Sequence, residues 1–446
     1  MNILLISVNR QTAPYPVYPL GLDYVAAAIA EKHRTHICDL LTVTREELAG
    51  IIKEFAPDLI GLSCRNIDNT DYAAPVSFVP DAAELAAWLR ERTRAILVLG
   101  GCGFTMMPEV FLRATGADFG IVGEGERLPL LLDALAEGRE PTEIEGVVSL
   151  ANKKDAPKPW PGTMTRRFVA SGRHEYYLRH GGMLNLQSKR GCVFRCSYCS
   201  YPQIEGNKHR LFDPDEVASE AKLLQESGAK YLFFTDSAFN SDIAHSLAVA
   251  HALEKRKLSI RWGAFFAPVP MPDEYFHIMR RSGCKHVEFG SESLSDLMLK
   301  SYKKPFTVAD VFAAHEKALA AGLHVAHYFL FGGRGESAAT LTESLDNIEQ
   351  LRKTVFFLFT GVRLYPGSLL CRQAIEEGRI QPGDTLAEST FYRPQAISLE
   401  EIAAMIQARA AARENWLFGA GGALDATVAN LYARGFVGPL WEFLTQ

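Results

Sequence analysis

No uncharged apolar run in this 446-residue chain approaches the ~20 residues that a membrane helix needs, so no membrane span is expected. The opening residues, Met1-Asn2-Ile3-Leu4-Leu5-Ile6, carry no basic stretch ahead of their apolar run; they read as a buried first strand and not as a signal peptide. Clustered basic charge is missing too. The 47 Lys and Arg against 52 Asp and Glu give a formal charge of -5 and no stripe of the kind a phosphate backbone requires, so nucleic acid is not an expected partner. Cysteine is too scattered for a disulfide framework: Cys38, Cys64, Cys102, Cys284 and Cys371 stand singly. That pattern points to a reducing, cytoplasmic compartment, where the three clustered cysteines are metal ligands before they are disulfide partners.

Hydrophobic residues at 48% and charged residues at 22% are the balance of a chain with a large core. At about 150 residues per domain, the length predicts two or three domains. Residues 1–150 alternate short apolar runs (3–8, 36–40, 59–63, 96–100, 119–122) with helical stretches (21–31, 81–92, 127–136). Repeated βα units predict a doubly wound parallel sheet, whose ligands bind at the strand C-termini. The loops there hold Asn9 to Tyr18 with three prolines, Ser63-Cys64-Arg65-Asn66-Ile67-Asp68-Asn69, Gly100-Gly101-Cys102-Gly103 and Gly123-Glu124-Gly125-Glu126. Glycine in such turns allows close backbone approach to a bulky ligand.

Residues 151–180, rich in Lys, Pro, Gly and Arg without a clear period, read as the interdomain linker. A second βα series follows over 181–385, with strands at 183–187, 231–235, 260–265, 286–289, 325–330 and 355–359. Six units fit a partial (β/α)6 barrel with its chemistry at the strand C-termini. Residues 386–446 read as a helical segment, opened by a capping box at Ser398-Leu399-Glu400-Glu401 and expected to cap the barrel mouth. The overall expectation is an α/β chain: a Rossmann-like doubly wound sheet, a partial barrel and a helical C-terminal segment.

Directly after the first strand of the second series comes Gly191-Cys192-Val193-Phe194-Arg195-Cys196-Ser197-Tyr198-Cys199, a CxxxCxxC run. Soft thiolates on one short loop suit an iron–sulfur cluster, which normally takes one cysteine per iron, so Cys192, Cys196 and Cys199 would leave one iron open. The alternatives are a structural zinc completed by a histidine such as His209, or three thiols without metal. Zinc sites usually draw paired cysteines from two places, and no second pair exists here.

With Tyr198 before the third cysteine, this motif resembles that of the radical S-adenosylmethionine (SAM) superfamily. Downstream, Gly290-Ser291-Glu292-Ser293, then Lys303 or Lys304, then Gly332-Gly333-Arg334-Gly335-Glu336 resemble that superfamily's GxES and GxPGE segments. The resemblance implies a 4Fe-4S cluster and SAM, with Tyr198 in the SAM site, Glu292 or Ser293 facing the SAM ribose, and Gly332 to Gly335, including Gly333, lining the approach. Many members carry a GGE-like turn after the second strand; this chain has Thr235-Asp236-Ser237-Ala238 there. Asp236 is therefore either a SAM contact or the cap of the following helix.

The first half is similar to the cobalamin-binding domain that precedes the barrel in one large subclass. The landmarks are Pro19-Leu20-Gly21-Leu22, Pro57-Asp58-Leu59-Ile60-Gly61-Leu62-Ser63, Gly100-Gly101 and Gly123-Glu124-Gly125-Glu126. The resemblance implies cobalamin held near Ser63, Gly100, Gly101, Gly123 and Glu124. No DxHxxG segment is present, and His33 and His36 lie off the first βα loop, so any cobalamin should lack a histidine axial ligand. The implied activity is C-methylation of an unactivated carbon in a small-molecule or lipid-like substrate, with an electron donor such as flavodoxin or ferredoxin. Two other functions stay open: cobalamin-dependent cyclisation or rearrangement without methyl transfer, and a scaffold that holds the cluster without turnover.

Three barrel residues are candidates for handling substrate. His327 and Tyr328 are adjacent on one strand, so only one of them can point inward. Arg363 could meet an anion or make a structural ion pair. No catalytic residue is assigned from the sequence.

Overall fold

The computed structural model describes residues 1–152, 157–411, 413–419 and 424–445. Six strands form the first sheet: β1 (Asn2–Ser7), β2 (Arg34–Asp39), β3 (Leu59–Ser63), β4 (Ile96–Gly100), β5 (Phe119–Ile121) and β6 (Val147–Val148). Their order is β2-β1-β3-β4-β5-β6, parallel except for β6, which closes the edge antiparallel to β5. The run Ile3-Leu4-Leu5-Ile6 does not alternate because both faces of β1 are covered: Leu4 and Ile6 pack into one core, Ile3 and Leu5 into another. Strand order reverses between β1 and β3, and the loops leaving these two strands border the crevice that such a sheet offers to a ligand.

The expected helices form at Leu20–Ile29, Val79–Arg90 and Leu128–Ala136; Arg45–Phe55, Cys102–Met106 and Pro108–Thr115 are additional. Helix Arg45–Phe55 opens with a reciprocal capping box between Thr44 and Glu47.

The second sheet contains β7 (Leu184–Leu186). A two-stranded antiparallel ribbon, β8 (Lys189–Arg190) with β9 (Arg210–Leu211), follows it in the chain. Then come β10 (Tyr231–Phe234), β11 (Arg261–Phe266), β12 (Cys284–Glu292), β13 (His324–Phe331), β14 (Thr354–Thr360) and β15 (Trp416–Phe418). The sheet is ordered β15-β14-β13-β12-β11-β10-β7, with parallel pairing throughout. Behind it, Phe234, Phe239, Trp262 and Phe266 pack ring against ring, and Trp262 Nε1 donates to the Ser282 carbonyl (3.1 Å).

Two stretches depart from the expected layout. The linker contains helix Gly172–Gly181, started by a Ser171 capping box and stopped by Gly182 in the left-handed conformation. The C-terminal segment is not purely helical. Between helices Leu399–Ala410 and Asp425–Ala433 it contributes β15, a seventh strand on the sheet. Nor does its end cap the mouth. The 3-10 turn Trp441–Thr445 packs beneath the barrel, where Thr445 bonds His324 at the start of β13 (3.0 Å). Among the described residues no helix is long and apolar enough to cross a membrane.

Candidate functional site

The cysteine loop hangs from the β8–β9 ribbon. Its entry, Gly191, has φ +86°, and a Cβ there would sit 2.1 Å from the Lys208 carbonyl, so only glycine lets the two ends of the loop close. Cys192 N donates to the Gly206 carbonyl (3.2 Å), Ser197 N to that of Tyr302 (3.0 Å), and Tyr201 N to Cys199 Sγ (3.5 Å). Burial pushes the Cys199 thiol up to about 12 and raises that of Cys196; neighbouring thiols add to both shifts, and Lys304 pulls both down.

Among the described residues no three His, Cys, Asp or Glu groups converge to hold a single ion. His209, the histidine offered for zinc, bonds Ser241 Oγ instead (3.0 Å). Three soft donors on one loop, within electrostatic reach of one another, suit a polynuclear cluster better than a lone tetrahedral ion.

Glu292 ends β12 with φ +63°, beyond an irregularity in the pairing with β13. A non-glycine residue in that conformation is the kind of local strain that collects at functional sites. Its Oε1 accepts from Lys304 Nζ (3.1 Å), which lies 5.4 Å from the Tyr198 ring centroid. Tyr198 in turn packs edge-on against Tyr302. Cys196, Tyr198, Glu292 and Lys304 thus form one group.

Ser293 faces the other way, with its hydroxyl 2.7 Å from Ser344 Oγ in the helix layer. Of the two residues offered for the ribose, only Glu292 turns toward the cysteines. Gly332 and Gly333 do not open onto free space either: a Cβ would meet Leu399 at 2.5 Å or Tyr302 at 2.2 Å. Asp236 caps no helix, since Asp242 performs that role for Ile243–Lys255. It is fully buried, accepting from Ser188 N (2.8 Å) and Lys189 Nζ (2.9 Å), and so fixes the strand that enters the cysteine loop.

At the C-terminal edge of the first sheet, a Cβ on Gly100 would meet nothing within 4 Å, the open position a bulky ligand needs. Gly101, at φ +96°, presses against the Cys64 backbone. Ser63 is half-buried at the end of β3. Cys102 is exposed, yet burial pushes its thiol up to about 11. Both facts hold if it lines an internal chamber.

Arg65, in the loop that follows β3, lies beside Cys102. Burial pulls its guanidinium down, and Cys102, Tyr177, Tyr15 and Tyr201 are the groups around it. Tyr201 also feels Cys199, and Tyr15 feels Glu288, so groups of both sheets meet there. Phe265, on a central strand of the second sheet, stays 37% exposed between the rings of Phe233 and Tyr328. The open Gly100 edge fits cobalamin, and the thiol loop opposite fits a cluster.

Gly123 keeps to this edge beside the helix that follows Gly101, whereas the Glu124 side chain turns away to the ribbon. Gly123 N donates to Thr105 Oγ1 (2.9 Å), and Glu124 Oε1 accepts from Arg190 (3.0 Å) and Arg210 (2.6 Å) of the ribbon. Arg363 pairs with Asp68 (2.8 Å), both buried, and is a structural ion pair. His327 points into the helix layer against Ser291 (2.8 Å) and His315 (3.0 Å), which leaves Tyr328 as the inward residue.

Below Tyr328 lies a buried polar floor. Tyr328 OH donates to Glu288 Oε2 (2.9 Å), Trp441 Nε1 to Glu288 Oε1 (3.0 Å), and His286 contacts Glu288 and Glu442 at 3.2 Å each. Burial alone would lower His286, but hydrogen bonds and charge from the two carboxylates outweigh it and raise the imidazole to about 9. A folded-state value above the unfolded one means stability that is fully present below pH ~6.5 and lost as pH rises through ~9, on the order of 3 kcal/mol in all. Denaturant unfolding across that range should show the fall, and His286→Gln should flatten it.

Comparison with known proteins agrees with this geometry. The B12 binding domain model matches residues 6–132, and the radical SAM superfamily model matches residues 186–348. The chain is 26% identical to the tryptophan 2-C-methyltransferase of Streptomyces laurentii, over 84% of this chain and 75% of that one. It is 28% identical to an uncharacterized methyltransferase of Pyrococcus horikoshii, over 84% and 83%. Its fold matches the radical SAM methyltransferase TsrM of Kitasatospora setae, solved with cobalamin and a [4Fe-4S] cluster: TM-score 0.86, 21% identity, 99% of this chain and 97% of that one. The cofactors that go with such a pair of domains are a 4Fe-4S cluster, SAM and cobalamin. The chain belongs to the radical SAM superfamily, among the members that carry a B12-binding domain ahead of the radical SAM domain.

Proposed function

We propose that this protein is a cobalamin-dependent radical SAM enzyme that methylates carbon in a small-molecule substrate. The observation that carries the reading is that the two edges meet: the helix Cys102–Met106, which follows the open Gly100 edge, packs against Tyr201–Ile204, the short helix that follows Cys199. When bound, the cofactors supply one-electron cleavage of SAM and a transferable methyl group.

The chain's own residues position and shield. Cys192, Cys196 and Cys199 hold the cluster, Asp236 fixes the strand leading to them, and Glu292, anchored by Lys304, reaches toward SAM. Gly100 and Ser63 border the cobalamin. The rings of Phe233, Phe265, Tyr328, Phe357 and Phe359 wall off water and favour an apolar substrate surface. A cytoplasmic setting, with flavodoxin or ferredoxin as reductant, completes the reading.

The test supplies reductant and SAM anaerobically to the reconstituted enzyme with a cell extract as substrate source. The reading predicts SAM consumption, seen as 5'-deoxyadenosine or S-adenosylhomocysteine, and a product heavier by one CH₂. A product of unchanged carbon count would mean cyclisation or rearrangement. No SAM consumption would leave a cluster-holding scaffold.

A further inference from the structure

The neck of the cysteine loop is closed by a carboxylate from the other domain. In the ribbon, Arg190 of β8 stands directly opposite Arg210 of β9, and the whole cysteine loop lies between them in sequence. Like charges facing each other across paired strands repel. Arg190 is buried and Arg210 largely so, which denies them the screening of water.

Two carboxylates of the turn between β5 and helix Leu128–Ala136 reach into the pair, and Glu205 within the loop adds its charge beside Arg190. Glu124 Oε1 accepts from Nη1 of both arginines, at 3.0 and 2.6 Å, and Glu126 Oε1 lies 2.7 Å from Arg190 Nη1. The other oxygen of Glu124 is taken by the Trp160 amide. Both of its carboxylate oxygens are thus engaged within the protein. The neck is tied inward as well: Arg210 Nη2 donates to the Glu205 carbonyl (2.7 Å), and Glu205 Oε2 accepts from Gly191 N (3.1 Å), one residue before Cys192.

We infer that Glu124 is a positioning residue for the iron–sulfur cluster. From within the B12-binding domain it holds the two arginines together, and with them the two ends of the loop that presents Cys192, Cys196 and Cys199. Cluster integrity thereby depends on the domain that carries cobalamin. The inference rests on the reading of those cysteines as cluster ligands.

The test compares full-length parent and Glu124→Gln after anaerobic reconstitution. It reads iron and sulfide per chain, the rate of cluster loss to an iron chelator, hydroxocobalamin retained after desalting, and circular dichroism. Groups behind metal ligands typically tune affinity by about 10–100-fold, and cluster loss should accelerate on that scale while cobalamin retention stays at the parent level. Adding Arg210→Gln to Glu124→Gln removes one of the opposed cations and should slow cluster loss back toward the parent rate.

Unchanged cluster stability in Glu124→Gln, or loss of cobalamin with the cluster intact, overturns the inference. So does failure of the added Arg210→Gln to restore the cluster. If Glu124→Gln alone does not fold, the double variant decides: a folded chain with a stable cluster supports the inference, and an unfolded one overturns it. A parent that takes up no cluster overturns the cysteine reading itself and is told apart from the other outcomes by its own iron content.

Discussion

Replacing Cys196 by alanine should abolish cluster assembly and SAM turnover while leaving the fold intact. The loop does not depend on its thiols for shape. Gly191 closes its neck, and backbone bonds from Cys192 to Gly206 and from Ser197 to Tyr302 hold its course. Losing a half-buried sulfur at such a site costs about 1 kcal/mol or less. The chemical loss is far greater, because three cysteines already leave one iron without a protein ligand and removing another leaves too few thiolates to retain the cluster. Iron and sulfide analysis with electron paramagnetic resonance reads the first effect, and SAM consumption reads the second. A Cys196→Ala protein that kept its iron and consumed SAM at the parent rate would refute the assignment of this loop.

Asp236→Ala should be the most destabilising single change near the site, at about 3–5 kcal/mol, the usual cost of stranding one partner of a buried ion pair. Lys189 would keep only the Phe239 carbonyl (2.9 Å) and the face of that ring, and the Ser188 amide would lose its acceptor. Against a total of about 5–15 kcal/mol for a typical domain, the drop should be plain in denaturant unfolding. Removing both charges with Lys189→Met and Asp236→Leu should recover much of the loss, because an apolar pair of similar volume carries no desolvation cost. If Asp236→Ala unfolded at the parent midpoint, Asp236 would not be the anchor of the strand entering the cysteine loop.

What could be read in the sequence follows from where each signal lies. The inner strands of the first sheet are short apolar runs, such as Leu59 to Leu62, because both of their faces are packed; in the second sheet Val325 to Phe331 is interrupted by His327 and Tyr328, which turn to opposite faces. The cysteine loop was legible because its ligands sit on one short segment. β15 was not, since Trp416-Leu417-Phe418 is too short to show a period and takes its place only through pairing with β14. Helix Gly172–Gly181 was hidden by its glycines and polar residues, although Ser171 marked its start.

The roles of Glu124 and Asp236 were beyond local reading for a common reason. Glu124 meets arginines 66 and 86 residues away, and Asp236 a lysine 47 residues away, distances that leave no trace in periodicity or spacing. Resemblance placed Glu292 and Ser293 side by side, and only the bend at the end of β12 decides which of them turns inward. Arg65 had a place in the loop after β3 but no role, because a lone loop arginine is ordinary until a thiol and phenols are found around it.

The central claim is that one chain uses both cofactor sites for methyl transfer. The most direct test supplies SAM carrying a trideuterated methyl group to the anaerobic enzyme reconstituted with iron, sulfide and hydroxocobalamin, together with a low-potential reductant that takes the cobalamin to cob(I)alamin, then follows the label by mass spectrometry after gel filtration. The account predicts cobalamin that stays with the protein and acquires the deuterated methyl group. Cobalamin that elutes free of the protein, or stays bound but never takes up the label while SAM is consumed, would contradict it.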